Sequence, residues 1–299
     1  MENFDDIFTA QSRHGTQFTP DDAFNKDEWA ASKQAERNEV YEMMDTATES
    51  VLSNGGEFQR YLDTLSKFDR YSAGNVLLVL KQMPEATQLR DFDGWKEKNA
   101  NIKKNEKGIR ILEPGDEYTR EDGTTGVSYN VKKVFDISQT TARREQQNAH
   151  TDSRELIRAL MQASPVTVTI SESLPLDVGA HYDSQSGVIS IRKGMEAQNI
   201  VRALSQEIAH AEMDSQDGTY DRGDVSFTAY CVSYVICRKE GFDVSRFSFD
   251  RLPESFSSME PQAGRGELTR IRNISANIIE SVNAKLEQQR DKAARQSER

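Results

Sequence analysis

Residues 225–238, VSFTAYCVSYVICR, are apolar on nearly all sides when wound into a helix. Such a helix has no face to give to water, so the rest of the chain has to cover it. The covering elements show as apolar stripes at helical spacing. Phe58, Tyr61, Leu62, Leu65 and Phe68 make one stripe, and Ala197, Ile200, Val201, Leu204, Ile208 and Ala211 another. Leu268, Ile271, Ile274, Ile278 and Val282 make a third, in a C-terminal helix expected to fray into a charged tail.

Between these helices the pattern changes. A helix-compatible run from Trp29 to Leu52 stops at SNGG (53–56), and SAGNVLLVLKQM ends at Pro84. KGIRILEP reads as a strand closed by Pro-Gly, EDGTTG as a turn, and VSYNVKKVFDIS as the returning strand. After a polar stretch come the helix RELIRALMQA, the strand PVTVTI and a hairpin around Ser186-Gly187. The expected fold is α+β. The expected divisions are an acidic, disordered tail over 1–28, a small α+β domain over 29–140, a linker over 141–153, a helix-rich domain with a short hairpin or sheet over 154–260, and a C-terminal amphipathic helix and tail over 261–299.

Length fits this plan, because 299 residues suit about two domains. No run of about 18 apolar residues occurs, so no membrane span is expected. The first fifteen residues are acidic and lack an apolar core, so they do not read as a secretory signal. Cys231 and Cys237 are the only cysteines, on different faces of one helix, which predicts free thiols and a cytoplasmic setting. The formal charge of −11 by itself argues against a nucleic-acid binder. The charge is uneven, however. Residues 1–57 hold 4 Lys/Arg and 13 Asp/Glu, whereas residues 58–145 hold 16 and 14. Within the latter, WKEKNANIKKNEKGIR carries six bases against two acids.

Two stretches carry candidate chemistry. The first is LSQEIAHAEM, residues 204–213. A zinc-peptidase helix reads His-Glu-x-x-His, with two imidazoles on one face and a glutamate that activates the bound water. Here Glu207 and His210 are present, but Gln206 stands at the first ligand position. The second is the basic segment with its aromatics. Lys103, Lys104, Lys107 and Arg110 are candidates to follow phosphates, Tyr71 and Trp95 to stack bases at about 1–3 kcal/mol each, and Asn75 is a further candidate contact to nucleic acid.

The order of a hairpin strand, EAQNIVRALSQEIAHAEM and FTAYCVSYVICRKEGFD resembles the zincin-like metallopeptidase domain of the ArdC antirestriction family and its ImmA/IrrE-type relatives. In that pattern the second helix supplies a carboxylate ligand, and Thr228 and Tyr230 stand where the family has glutamates. The resemblance therefore implies a degenerate scaffold with Glu207 and His210 vestigial, no catalysis and no bound metal. Asp214, four residues beyond His210, offers an alternative metal set with His210 and Glu207. Residues 58–140 resemble the single-stranded-DNA-binding domain of the same family. They match it at Tyr71, Ser72, Asn75, Pro84, Ala86, Thr87, Trp95, Glu106, Lys107, Gly108, Ile109, Ile111 and Pro114, and depart at Asn105, where the family has glycine.

The resemblance implies a single-stranded-DNA-binding, antirestriction-like protein of a mobile element or plasmid, with a peptidase-like domain that serves as a protein-binding scaffold. Two other readings stand beside it. One is a metallopeptidase with atypical ligands, which requires zinc. The other is an acidic adaptor or inhibitor of a DNA-handling protein.

Overall fold

The computed structural model describes residues 25–120, 122–143, 152–217 and 219–297. The expected acidic tail lies outside these residues up to position 24, as does most of the expected linker, residues 144–151. In chain order the elements are α1 (Lys26–Ser53), α2 (Gly55–Lys67), α3 (Ala73–Gln82), β1 (Leu89–Arg90), α4 (Phe92–Glu97), β2 (Ile109–Thr119), β3 (Thr125–Asp136), α5 (Ser153–Ala163), β4 (Thr167–Ser171), β5 (Ala180–Asp183), β6 (Val188–Arg192), α6 (Ala197–Asp217), α7 (Arg222–Lys239), α8 (Glu254–Ser257) and α9 (Pro261–Ser297). The fold is α+β, as expected. Among the described residues no helix is long and apolar enough to cross a membrane.

The chain divides into two compact units between Glu39 and Val40. The described part of the first is helical and carries local side-chain pairs, such as Lys33 with Glu36 at 2.9 Å. The second, Val40–Arg299, holds every other element.

Helix α7 is buried as its composition demands: Ala229, Cys231, Val232, Ser233, Tyr234 and Val235 are all inaccessible or nearly so. Helices α2, α6 and α9 pack on it, each through the stripe read from the sequence. Each fully buried Leu, Ile or Phe contributes roughly 1.5–3 kcal/mol relative to an exposed one. The two cysteines are buried and free. Helix α9 does not fray where expected but stays helical through its charged end to Ser297.

The expected boundary near 141–153 does not separate two cores. Phe58 of α2 packs against Phe227 of α7 and against Phe249 and Phe256, with ring centroids 5.6, 5.7 and 6.0 Å away. The Tyr234 hydroxyl donates to Asp63 at 2.8 Å, and Lys239 pairs with Asp69 at 3.0 Å. Arg272 of α9 donates to the carbonyls of Tyr71 and Arg70. An all-apolar α7 needs more cover than the second half supplies, so the first half is folded onto it.

Two small sheets flank the helices. One has the order β1-β3-β2 and is antiparallel throughout. The other has the order β4-β6-β5, with β4 parallel and β5 antiparallel to β6. Pro114-Gly115 does not close β2, which runs on to Thr119 through a register shift between Pro114 and Glu117. Strand β2 is an edge strand, and an edge bulge tolerates a residue without an N–H. The SNGG stop is likewise shorter than expected. Asn54 alone breaks the helix and caps the next, accepting from the Glu57 N–H at 3.1 Å. Gly55 then opens α2 because a Cβ there would collide with the Phe249 carbonyl.

Candidate functional site

Helix α6 presents Gln206, Glu207 and His210, and their surroundings are not those of a metal site. Glu207 is 4% exposed. Its Oε2 accepts the Tyr182 backbone N–H of β5 at 2.7 Å. Arg222, in the first turn of α7, donates from Nη2 to Oε1 at 2.7 Å and to Oε2 at 2.9 Å. Arg222 Nη1 lies 3.5 Å from the Tyr182 carbonyl oxygen. Thus one carboxylate and one guanidinium occupy both backbone groups of Tyr182 that point away from β6. Three of the roughly four acceptor sites of this carboxylate are thereby taken, and a guanidinium lies against both of its oxygens.

His210 is fully buried. Its Nδ1 lies 3.0 Å from the Tyr220 hydroxyl, and its Nε2 has no partner among the described residues. Burial pushes the imidazole down to about 3, helped by the charge of Arg222, so it is neutral at physiological pH. Asp214 accepts from the Tyr182 hydroxyl at 2.7 Å. Burial and that hydrogen bond push the phenol up to about 12. Thr228 is buried at 2% exposure, and the Tyr230 hydroxyl accepts from the Ser248 N–H at 2.8 Å. Among the described residues, no three His, Cys, Asp or Glu side chains gather into a group able to hold a metal ion. The alternative set of His210, Glu207 and Asp214 is thus not assembled. One orphaned imidazole nitrogen beside an occupied carboxylate does not fit a zinc or manganese centre.

Gln206 and Glu207 share one further feature. Both line a cleft of about 430 Å³ between the 176–180 segment and α6, together with Arg192, Arg202 and Arg246.

The basic segment is held as one built loop. Gln139 donates to the Glu106 carboxylate at 3.0 Å and to the Lys107 carbonyl at 2.9 Å, while accepting the Asp136 N–H at 2.9 Å. Asp136 in turn accepts from the N–H groups of Thr87, Gln88 and Ser138. Burial would raise the Asp136 carboxyl, but these backbone donors hold it below its usual range. Lys103, Lys104 and Lys107 are exposed, and Lys103 Nζ donates to the Ser138 carbonyl at 2.7 Å. Arg110 is half-buried on β2. A cleft of about 880 Å³ opens beside the loop, lined by Lys107, Arg110, Lys133, Met83 and Phe135 among others.

Two expected contact residues are corrected. Trp95 is 2% exposed, and its indole N–H donates to the Phe135 carbonyl at 2.9 Å. It centres a small core with Ala100 and Ile137 and offers no face to a base. Asn75 is 8% exposed, with its amide spent on the Leu112 N–H and carbonyl, both at 2.8 Å. It ties α3 to β2. Tyr71 is half-buried, with its ring edge-on to Phe68 at 5.8 Å. Between residues 89 and 136 the aromatic rings that reach solvent include Phe92 at 59% exposure, Tyr118, Tyr129 and the half-buried Phe135. Sequence reasoning missed Lys133 and Phe135, which the β3 alternation places near Lys107 only once the register with β2 is known. It also missed Arg222. The signal was present, because Arg222 is the only Lys or Arg between Arg202 and Arg238, and a buried Glu207 needs a cation.

These features define a class: an α+β chain whose described residues set two three-stranded sheets on a shared helical core. No family model matches the sequence, and no curated protein does. Among solved structures, the fold is similar to that of the antirestriction protein ArdC from plasmid R388 in its Mn(II)-bound form. The TM-score is 0.53 at 14% identity, over 82% of this chain and 98% of that one. The metal-free structure of the same protein matches at a TM-score of 0.45 and 17% identity, over 73% and 84%. At this identity the likeness is one of fold.

Proposed function

We propose that this chain is a single-stranded-DNA-binding protein of the antirestriction kind, carried by a plasmid or other mobile element, whose peptidase-like helix pair is catalytically silent. The observation that carries the DNA reading is the loop 103–110. It presents three exposed lysines beside a cleft edged by Arg110, Lys133 and the ring of Phe135. Cations that track phosphates next to a stacking face are what sequence-tolerant single-strand binding requires. The similarity in fold to an antirestriction protein of a plasmid supports the antirestriction and plasmid part of the reading.

Silence is supported by Arg222, which sits on the carboxylate that a peptidase would need free. The rival metallopeptidase reading draws on two observations: ArdC, similar in fold, has been crystallised with Mn(II), and the buried Nε2 of His210 lacks a partner among the described residues. One nitrogen is too few donors, so the silent reading is preferred.

The test is anisotropy of a labelled oligo-dT at two salt concentrations, with metal content measured on the same preparation. Salt-sensitive binding by metal-free protein is the expected result. Absence of binding, together with one equivalent of tightly held metal, would overturn the proposal.

A further inference from the structure

In the sheet β1-β3-β2 one face turns to the core, where Ile109, Ile111 and Val134 are buried. The alternate residues of β3 share the other face: Val127, Tyr129, Val131, Lys133 and Phe135. None of these five is buried. The register sets Arg90 of β1 opposite Phe135, Arg110 of β2 opposite Lys133, and Leu112 opposite Val131. Rings and aliphatic side chains held together at the surface of a sheet mark an interaction surface.

The charges on this face say what it suits. Arg110 and Lys133 lie directly across from each other, where like charges repel. Their neighbours on the face are Gly108, Leu112, Val131 and Phe135, so no carboxylate separates them. The adjacent Lys132, on the inner face, is instead held by Asp91 at 2.9 Å and Glu113 at 3.1 Å. Lys133 has no ion pair among the described residues. Arg90 stands 5.8 Å over the Trp95 ring, and its buried Nε has no hydrogen-bond partner among the described residues. The Phe135 ring lies against Gly108, where an added Cβ would come within 3.0 Å of it, so it meets the basic loop with no side chain between. Toward the hairpin tip the sign changes. Beyond the register shift the exposed Glu117 lies opposite Val127, and Asp122 stands in the turn. The face is thus cationic at the loop, apolar and aromatic in the middle, and acidic at the tip.

We infer that the outer face of this sheet is the base-stacking track for a single strand, with bases on Phe135, Val131 and Tyr129 and phosphates on Lys107 and Lys133. The inference rests on the single-strand reading of the loop 103–110 and adds where the bases go. From Phe135 to Tyr129 is six residues of strand, about 20 Å at roughly 3.3 Å each. That length suits the short end of the roughly 4–16 nucleotides of single-strand sites. Rings on an open sheet take any base by its π-face, so the track tolerates sequence but requires unstacked bases. The Glu117 carboxylate repels phosphate and ends the track at the tip.

The experiment measures anisotropy of fluorescein-labelled oligo-dT on the full chain, beside an abasic strand of the same length that keeps the phosphates and lacks the bases. The expected result is salt-sensitive binding of oligo-dT and at least about tenfold weaker binding of the abasic strand. Tyr129→Ala weakens oligo-dT by at least about fivefold and leaves the abasic strand unchanged. Tyr118→Ala changes neither, because that exposed ring lies over Gly126 on the other face of the same hairpin. Lys133→Gln weakens both strands and lowers the salt slope by about 0.7. Equal binding of oligo-dT and the abasic strand overturns the inference and leaves the loop reading standing. So does equal loss in the two Tyr variants. No binding of either strand overturns both. A dimer of the unaltered protein that Tyr129→Ala dissolves, with oligo-dT affinity unchanged, would give the face to a second copy of the chain instead. The comparison of strands on unaltered protein decides the matter even where a variant fails to fold.

Discussion

Arg222 donates from one nitrogen to both oxygens of Glu207, at 2.7 and 2.9 Å, across fifteen residues of chain. The carboxylate is 5% exposed at its side chain and the guanidinium 37%. Removing one partner of a buried pair leaves an uncompensated charge and typically costs 3–5 kcal/mol. Because Arg222 is partly wet, Arg222→Ala is expected at the low end, about 3 kcal/mol by urea unfolding. Adding Glu207→Gln to that variant recovers part of the loss, since the stranded charge is gone. Mn(II) leaves the melting temperature of the unaltered protein unchanged. A rise of several degrees with stoichiometric Mn(II) would show that a metal can displace the guanidinium.

His210 predicts an acid limb. Burial holds its folded-state value near 3, against an ordinary 6.5. The unfolded chain therefore binds the proton more readily, and stability falls as pH drops through the window from about 6.5 to 3. The slope is about 1.4 kcal/mol per pH unit for one proton. His210→Gln flattens that limb, measured as urea-unfolding free energy from pH 7 to pH 5, whatever it costs at neutral pH. An unchanged slope would mean that His210 is hydrated in solution.

The loop lysines and Trp95 should separate cleanly. Lys103→Ala/Lys104→Ala/Lys107→Ala lowers single-strand affinity and reduces the slope of log K against log salt by about 2, at roughly 0.7 per phosphate contact. Trp95→Phe loses the hydrogen bond to the Phe135 carbonyl and costs about 1 kcal/mol of stability. Once the protein is folded, its oligo-dT affinity is unchanged. If Trp95→Phe weakens binding as much as the triple variant does, the ring is a contact after all.

The helices were legible because burial imposes a period: the apolar stripes read from the sequence are buried on their helices, apart from the half-buried Ala197 and Ile200 at the start of α6. Pairings across distance were not. The sequence places Lys103 to Arg110 in one run, yet the cleft beside them is completed by Lys133 and Phe135 from the returning strand. Trp95 lies between basic residues in sequence but inside a small core in space, and composition cannot tell a stacking ring from a packed one. The shared core escaped notice for a similar reason. A polar stretch at 141–153 looks like a boundary, whereas the apolar excess of α7 already called for cover from the far end of the chain. In the motif, a missing ligand was visible at Gln206, but the cation that takes the carboxylate lies on the next helix.

Asn105 links the sequence pattern to backbone geometry. The ArdC pattern that residues 58–140 resemble has glycine where this chain has Asn105, and Asn105 adopts φ +68°. That is the left-handed region, where glycine is unstrained and asparagine is the best-tolerated side chain. The departure thus preserves the turn that carries Lys104 and Lys107. Asn105→Gly is expected to leave both melting temperature and oligo-dT affinity nearly unchanged. Asn105→Val places a β-branched residue in the left-handed region, at a cost of about 1–2 kcal/mol. Because the turn sets where the flanking lysines point, the same variant weakens oligo-dT binding without altering net charge. Thermal melts and anisotropy on the two variants check this together. Equal binding by the Val and Gly variants would mean that the lysines reach phosphates independently of the turn.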